Sequence, residues 1–359
     1  AGSGKTKVLV ERLFSYVESG EANLDDFLII TYTRAAAAEL RGKIAKVLGE
    51  KLQENPLNAH LQRQLLRVYR ADFWQRERLL SALDHAMQDC PDVSFVYGVL
   101  PHKTDALPER TAPYLDSRIG TENRQTLEAA MEERLPGLLA VDVAGEFLTN
   151  YSASERESFY FKTDFHWNPR GAFAASTDLA AAMQENGLLD GVVLPAAGDF
   201  AWQDLDCPYR GDLNRRFSYL FSMQEEIPYY SIRETSELQY YDAEDVEVPR
   251  ESIWARGLQS GEEMQYNLLS TENLGFYRIC NPNARSARRV LILKDSMEDP
   301  MTDYWAELFS EIIVIDPRSY LREESLPELV AEYDIDMALF LYHQNNLSEE
   351  LIDFLNRGE

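Results

Sequence analysis

Residues 163–172 read Thr-Asp-Phe-His-Trp-Asn-Pro-Arg-Gly-Ala, and they place an acid, an imidazole and a helix start within ten positions. Asp164 and His166 are two positions apart, so on an extended chain their side chains point to the same side. The aromatic run at 158–161 is typical of a strand, which predicts that the pair lies at a strand end. An aspartate beside a histidine can fix the tautomer of the ring and stabilise its protonated form.

The two residues that follow this pair predict where a helix begins. Asn168 is a favoured helix N-cap, and Pro169 is a favoured first helical residue. A helix is therefore predicted from Pro169 to about Met183. The stretch supplies a base and an orienting acid, and the nucleophile must come from elsewhere in the chain.

Short apolar segments alternate with helical segments on both sides of this stretch. Strands are predicted at 93–100, 138–143, 289–294, 311–315 and 336–342, and helices at 76–87, 121–134, 304–309 and 326–333. This alternation is typical of a parallel sheet covered by helices on both faces. Residues 190–285 depart from it. We predict there a long excursion of loops and short antiparallel strands beside the site, or equally a solvated acidic segment.

Ser296 is the candidate nucleophile because it follows an apolar strand, at the sheet edge where ligands bind in such folds. A serine hydroxyl needs a base to remove its proton and a third group to orient that base. Ser296, His166 and Asp164 supply these roles, and backbone amides in the turn could form an oxyanion hole. Ser296 could instead be an ordinary turn residue or N-cap. His102 and His343 also follow strand ends and remain alternative bases.

Charge and cysteine usage restrict the classes of function. The net charge is -26, but residues 1–70 carry eleven basic and eight acidic residues, a net of +3, which leaves -29 for the rest. DNA binding by the acidic part is therefore not expected. The three cysteines are far apart and form neither a zinc spacing nor a disulfide framework, and the Asp-x-His pair has no evident third metal ligand.

The first six residues, Ala-Gly-Ser-Gly-Lys-Thr, match the second half of a phosphate-binding P-loop. The backbone amides of such a loop hold phosphates at a helix N-terminus. In this interpretation Gly2 and Gly4 shape the loop, Lys5 reaches the β- and γ-phosphates, and Thr6 holds Mg²⁺.

Residues 1–72 resemble the start of UvrD-like superfamily 1 helicases, nearest to those of the ATP-dependent helicase/nuclease type. The resemblance rests on the P-loop, on VLVER at 8–12 and on TYTRAAAAELR at 31–41. That family also needs a Walker B acidic pair, a second RecA-like domain and an arginine finger, which do not follow here. The resemblance implies a truncated P-loop NTPase fragment with a vestigial nucleotide site, and ATP with Mg²⁺ as cofactors only if the fragment were completed.

Residues from about 75 to the C-terminus resemble the DHHW family, which is related to the SGNH-like domain of alginate O-acetyltransferase proteins. FKTDFHWNPRGA at 161–172 matches the YYRTDHHWTPxGA signature of that family, LILKDS at 291–296 its LxxKDSY block and DPR at 316–318 its DPR block. The resemblance implies an α/β, SGNH-like three-layer domain with a parallel sheet over residues 73–359. It also implies that Asp164, His166 and Ser296 form a catalytic triad.

Two departures from the family pattern lie at this site. Phe165 stands in place of the first histidine of DHHW, between the two triad residues. Met297-Glu298-Asp299 stand in place of the usual Tyr-Ala-Asn, so we expect an altered oxyanion hole or altered substrate contacts. The change of charge and of family near residue 72 predicts a chimeric fusion joined at about 71–75.

The family resemblance implies O-acyl transfer or ester hydrolysis on a carbohydrate of the cell envelope or an exopolysaccharide, without a cofactor. The expected partners are a carbohydrate polymer and an acyl donor, and Tyr209, Arg210 and Asn214 are predicted sugar contacts. The main alternative is a non-catalytic glycan-binding or assembly module, and a helicase/nuclease function rests on the N-terminal fragment alone. The family is normally membrane-anchored and extracytoplasmic. The sequence as written has no membrane segment and predicts a cytoplasmic location.

Overall fold

The structure is a computed structural model, and it describes residues 3–19, 43–44, 47, 51, 73–110, 118–205, 209, 211–216, 225–233, 237–253, 266, 274–343 and 348–358. By compactness the chain divides into two units. One comprises residues 1–72 and 110–123, and the other residues 73–109 and 124–359. None of the described helices combines the length and the apolar character needed to cross a membrane.

The strands are β1 Ser94–Leu100, β2 Leu138–Asp142, β3 Phe200–Leu205, β4 Ile227–Ile232, β5 Gln239–Tyr241, β6 Glu247–Val248, β7 Phe276–Cys280, β8 Ser286–Lys294, β9 Phe309–Ile315 and β10 Met337–His343. The helices are α1 Ser3–Ser19, α2 Phe73–Asp89, α3 Lys103–Ala106, α4 Arg118–Arg134, α5 Val143–Asn150, α6 Ala153–Ser158, α7 Pro169–Glu185, α8 Asp212–Arg216, α9 Arg250–Ile253, α10 Thr302–Leu308, α11 Leu326–Tyr333 and α12 Glu349–Leu355.

One sheet of eight strands organises the larger unit, in the order β2-β1-β10-β8-β9-β7-β5-β6. The first five strands in this order run parallel, and β7, β5 and β6 add antiparallel to one side. Because parallel strands share a direction, the carboxyl ends of β1, β10 and β8 lie at one edge. His102, His343 and Ser296 lie at or just beyond those three strand ends.

Side chains alternate between two cores, one on each face of the sheet, as the period of two along a strand requires. On β8, Val290 and Ile292 enter one core while Leu291 and Leu293 enter the other. Helices α5, α7 and α10 complete the first core. The second core is completed by α2, α11, α12 and the part of α4 that follows residue 123. The result is the three-layer α/β arrangement that the sequence predicted.

The excursion at 190–285 contains β3 and β4, which pair antiparallel as a separate two-stranded sheet. It also contributes β5, β6 and β7 to the antiparallel side of the main sheet. Loops and short antiparallel strands were predicted there, and the described part of the excursion has both.

The predicted helix at 326–333 is α11, and the predicted strands at 289–294 and 311–315 lie within β8 and β9. The strand predicted at 158–161 is wrong. Ser152 and Glu155 cap the start of α6 reciprocally, and this helix continues through Ser158. Beyond that helix only a single bridge, between Tyr160 and Trp167, remains of the strand pairing.

The described part of the N-terminal unit is dominated by α1, which begins at Ser3. Its buried residues Val10, Leu13, Phe14 and Val17 recur every three or four positions and form one apolar face. Residues 31–41, which carry part of the helicase resemblance, lie outside the described residues.

Candidate active site

A short turn after β8 carries Ser296, and one carboxylate holds that turn in place. The Asp295 side chain accepts a hydrogen bond from the Met297 amide at 2.9 Å and another from the His343 amide at 2.9 Å. The turn is thereby tied to the end of β10, its neighbour in the sheet. Ser296 itself is half-buried, so its hydroxyl lies at the rim of the sheet.

The structure brings Ser296, His166 and Asp164 together. The Nε2 atom of His166 lies 3.0 Å from the Ser296 hydroxyl oxygen, and its Nδ1 atom lies 2.7 Å from the Asp164 carboxylate. A serine, an imidazole and a carboxylate in this order form a hydrogen-bonded chain of the kind that activates a nucleophile. The three residues singled out from the sequence are thus in contact, whereas their catalytic role is still a prediction.

The Asp164 carboxylate accepts four hydrogen bonds. One oxygen binds the His166 amide at 3.0 Å and its Nδ1 at 2.7 Å, and the other binds the Tyr209 hydroxyl and the Asp212 amide, each at 2.7 Å. Burial raises the pKa of Asp164, but its interactions with His166 and the Asp212 amide outweigh this, and the pKa falls to about 2. An ionised Asp164 accepts a hydrogen bond from Nδ1–H, which leaves the Nε2 lone pair to accept a hydrogen bond from the serine hydroxyl.

The backbone that carries Asp164 is held from two directions by charged side chains. The Lys103 ammonium donates to the carbonyl oxygens of Phe161 and Asp164, the latter at 2.9 Å. The Glu225 carboxylate accepts a hydrogen bond from the Thr163 amide at 2.7 Å. Burial lowers the pKa of Lys103, and the nearby Glu225 and Asp164 oppose this change. Sequence reasoning assigned no role to Lys103 or Glu225, because their partners are distant in sequence.

Helix α7 fixes the other end of the Asp-x-His segment, as predicted. The Asn168 side chain accepts the Arg170 amide at 2.9 Å and the Gly171 amide at 3.3 Å, which makes it the N-cap. Between His166 and this cap, the Trp167 indole donates to the Met297 carbonyl at 2.8 Å. The segment that carries His166 and the turn that carries Ser296 are therefore joined through Trp167 and Met297, the residues that follow them.

Two aromatic rings pack against the imidazole of His166. The Tyr266 ring stacks on it with centroids 3.7 Å apart and planes 12° apart, and the Phe165 ring lies 3.9 Å away. Tyr266 is only 7% exposed. Sequence reasoning missed Tyr266, since a lone tyrosine in a loop-rich segment has no distinguishing pattern. Phe165, the residue that departs from DHHW, is half-buried, and its ring contacts the ring of His166.

His102 and His343, the alternative bases, form a pair of their own. Their ring centroids are 5.1 Å apart in an edge-on arrangement, and His102 caps α3 by accepting the Thr104 amide. Burial lowers the pKa of His102, and it lowers that of His343 to about 4. Both rings are therefore uncharged at neutral pH. Of the described histidines, His166 is the one whose ring is hydrogen-bonded to Ser296.

Met297, Glu298 and Asp299 were expected to alter the oxyanion hole or substrate contacts, yet all three are buried. Asp299 forms an ion pair with the fully buried Lys294, and Glu298 accepts the Thr302 hydroxyl at 3.1 Å. Burial raises the pKa of Glu298 to about 8, despite the opposing charge of Lys294. Lys294 and Asp299 thus form a buried ion pair with the protonated Glu298 beside them, and the side chains of residues 297–299 are not exposed.

The two described residues that were predicted to contact a sugar are both buried. Tyr209 and Asn214 are each 1% exposed, so neither presents a surface to a sugar in this conformation, and the Tyr209 hydroxyl is bound to Asp164. Arg210 lies outside the described residues.

In the N-terminal unit, Gly4, Lys5 and Thr6 lie in the first turns of α1 and Gly2 is not described, so the nucleotide site is still a prediction. Within the described ranges, no His, Cys, Asp and Glu side chains gather in threes as metal ligands do.

Comparison with known proteins assigns most of the larger unit. The family described as SGNH hydrolase-like domain, acetyltransferase AlgX, matches residues 61–245. The structure of Bacillus cereus PatB1 with a sulfonyl adduct superposes with a TM-score of 0.66 and 22% identity, over 78% of this chain and 91% of that one. A DHHW family protein from Eubacterium siraeum superposes with a TM-score of 0.60 and 19% identity, over 78% and 88%. At these identities the likeness shows a shared fold.

The N-terminal region matches a different family model. The family described as UvrD/REP helicase N-terminal domain matches residues 1–87. An ATP-dependent helicase/nuclease subunit of Lachnoclostridium phytofermentans is 48% identical over 73 residues, which is 20% of this chain and 5% of that relative. Both predicted resemblances are confirmed, and this chain spans only about a twentieth of the curated relatives it matches.

Proposed function

Because the chain belongs to the SGNH hydrolase-like family of the acetyltransferase AlgX, we propose that it is a serine-dependent O-acyltransferase or esterase. The proposed substrate is a carbohydrate of the cell envelope or an exopolysaccharide. The observation that carries this proposal is the hydrogen-bonded order of Ser296, His166 and Asp164, with contacts of 3.0 Å and 2.7 Å.

In the first step of the proposed reaction, the Ser296 oxygen attacks the carbonyl carbon of an acyl donor. His166 Nε2 accepts the serine proton as the new carbon–oxygen bond forms. The ionised Asp164 stabilises the resulting imidazolium and keeps its Nδ1 proton in place. Collapse of the tetrahedral intermediate breaks the bond to the leaving group, which takes the proton from His166. An acyl-serine results.

In the second step, a sugar hydroxyl attacks the acyl-serine. His166 Nε2 removes the proton of that hydroxyl, and the proton then passes to the Ser296 oxygen as its bond to the acyl carbon breaks. Water in place of the sugar gives hydrolysis by the same route. Transferase and esterase activity therefore use the same three residues and differ only in the group that reaches the acyl-serine.

The test is release of 4-nitrophenol and acetate from 4-nitrophenyl acetate by the full chain. Ser296→Ala should reduce this release by at least about a thousandfold while the folded structure persists, because it removes the oxygen on which the proposed acyl-serine forms. Ser310→Ala is a matched control, because Ser310 lies at the opposite end of the parallel strands and its hydroxyl contacts backbone carbonyls. Equal turnover by Ser296→Ala and parent would refute the proposal and favour a non-catalytic glycan-binding module.

A further inference from the structure

Tyr266 makes the closest ring contact in the site and has no place in the two-step reaction proposed above. Its ring lies parallel to the His166 imidazole, with a centroid separation of 3.7 Å and an interplanar angle of 12°. It belongs to the excursion, far in sequence from both triad segments. Within the part of the chain that the structure describes, its hydroxyl is buried without a hydrogen-bond partner. The contact with His166 is thus made by the ring and not by the hydroxyl.

The surroundings of His166 give this ring a specific effect. Nδ1 is occupied by Asp164 and Nε2 faces Ser296, so the two polar edges of the imidazole have partners. The stacked Tyr266 covers a face of the ring that water could otherwise approach. After acylation, Ser296 no longer offers a proton, and Nε2 is then the base for whichever hydroxyl arrives. Water is activated at the in-plane lone pair of Nε2, and a ring stacked on the imidazole narrows the space from which water can reach that atom.

Resting on the proposed function, we propose that Tyr266 is a positioning residue that keeps water from His166, so that the acyl group on Ser296 passes to a sugar hydroxyl in preference to water. Transfer forms the bond between the sugar oxygen and the acyl carbon and breaks the bond to the Ser296 oxygen. The sugar proton goes through His166 Nε2 to that serine oxygen. The competing reaction is the same exchange with water, which releases acetate and wastes the donor.

The experiment separates acylation from deacylation in the full chain, with 4-nitrophenyl acetate as the probe. The parent should show a rapid burst of 4-nitrophenol that depends on Ser296, followed by slow turnover as water hydrolyses the acyl-serine. Tyr266→Ala should keep a burst and raise the later rate about tenfold, because the uncovered imidazole activates water. A gain in hydrolysis is a result that structural damage alone does not produce.

Tyr266→Phe is the conservative variant. It keeps the ring and removes only the unpartnered hydroxyl, so it should restore slow deacylation. If Tyr266→Ala does not fold, Tyr266→Leu takes its place, since it fills much of the same buried volume without a planar ring. Deacylation at the parent rate in the ring-less variants, or acceleration in Tyr266→Phe equal to theirs, would overturn the inference. A parent burst that Ser296→Ala leaves intact would instead refute the proposed function.

Discussion

Replacement of Glu298 by glutamine should stabilise the protein at neutral pH and should have almost no effect in acid. Glu298 is fully buried two residues after Ser296, and burial raises its pKa from 4.5 to about 8. In the unfolded chain the carboxyl ionises above pH 4.5, whereas in the folded protein it stays protonated until about pH 8. Between these values the unfolded state binds fewer protons, so stability falls as pH rises.

The size of the effect follows from the pKa difference. Each pH unit between 4.5 and 8 costs about 1.4 kcal/mol, so the cost at pH 7 is about 3 kcal/mol. Glutamine resembles the protonated acid in shape and can still accept the Thr302 hydroxyl, so it removes the pH-dependent cost without opening a cavity. Glu298→Gln should therefore unfold at higher urea concentration than the parent at pH 7, by an amount that shrinks towards pH 4.5.

The assay is urea denaturation of parent and variant across pH 4.5 to 8. The unfolding transition of the larger unit is the quantity monitored. Glu133→Gln is the control, because Glu133 is exposed on α4 and its replacement should change stability little at any pH. A Glu298→Gln variant that is less stable than the parent at pH 7 would show that the ionised carboxylate is needed. Equal gains at pH 4.5 and pH 7 would show that ionisation of Glu298 is not the cause.

Three further outcomes are expected. Asp164→Asn should slow acetate release by at least about a thousandfold. It should also lower the free energy of unfolding by about 2 kcal/mol at pH 7. The reason is that the carboxylate, with a pKa of about 2, stabilises the fold above pH 4 and loses that effect as pH falls through 2. ATP turnover should equal that of Lys5→Ala with or without DNA, because a Walker B acidic pair does not follow the P-loop, and DNA-stimulated phosphate release above that variant would contradict this. Limited proteolysis should cut the chain at about 70–76, where charge and family change, and a first cut inside residues 124–359 would contradict the proposed division.

The elements that the sequence predicted well are those with local signals. Asn168 and Pro169 mark a helix start through their own chemistry, and α11 begins after the reciprocal cap of Ser325 and Glu328. Ser296 could be placed because an apolar strand ends just before it. In each case the residues that determine the structure are within a few positions of the feature predicted.

The parts that could not be predicted depend on contacts between distant segments. Phe159 and Tyr160 have the composition of a strand, but they pack in the core after α6 and lack a partner strand. Lys103 and Tyr266 reach the Asp-x-His segment from positions about 60 and 100 residues away. Tyr209 was predicted to contact a sugar, but it is buried and its hydroxyl donates to the Asp164 carboxylate.

The carboxylate of Asp295 gives the site two parts that differ in resistance to local opening. It fastens the serine turn to β10, and β8 and β10 are interior strands of the sheet with a paired strand on each side, where amide exchange is slow in sheet proteins. His166 and Asp164 instead receive Tyr266, Tyr209 and the Asp212 amide from the excursion. Sequence change in the excursion can thus alter how His166 is presented while Ser296 stays in place, and under the proposed function such change would alter the acceptor without moving the serine.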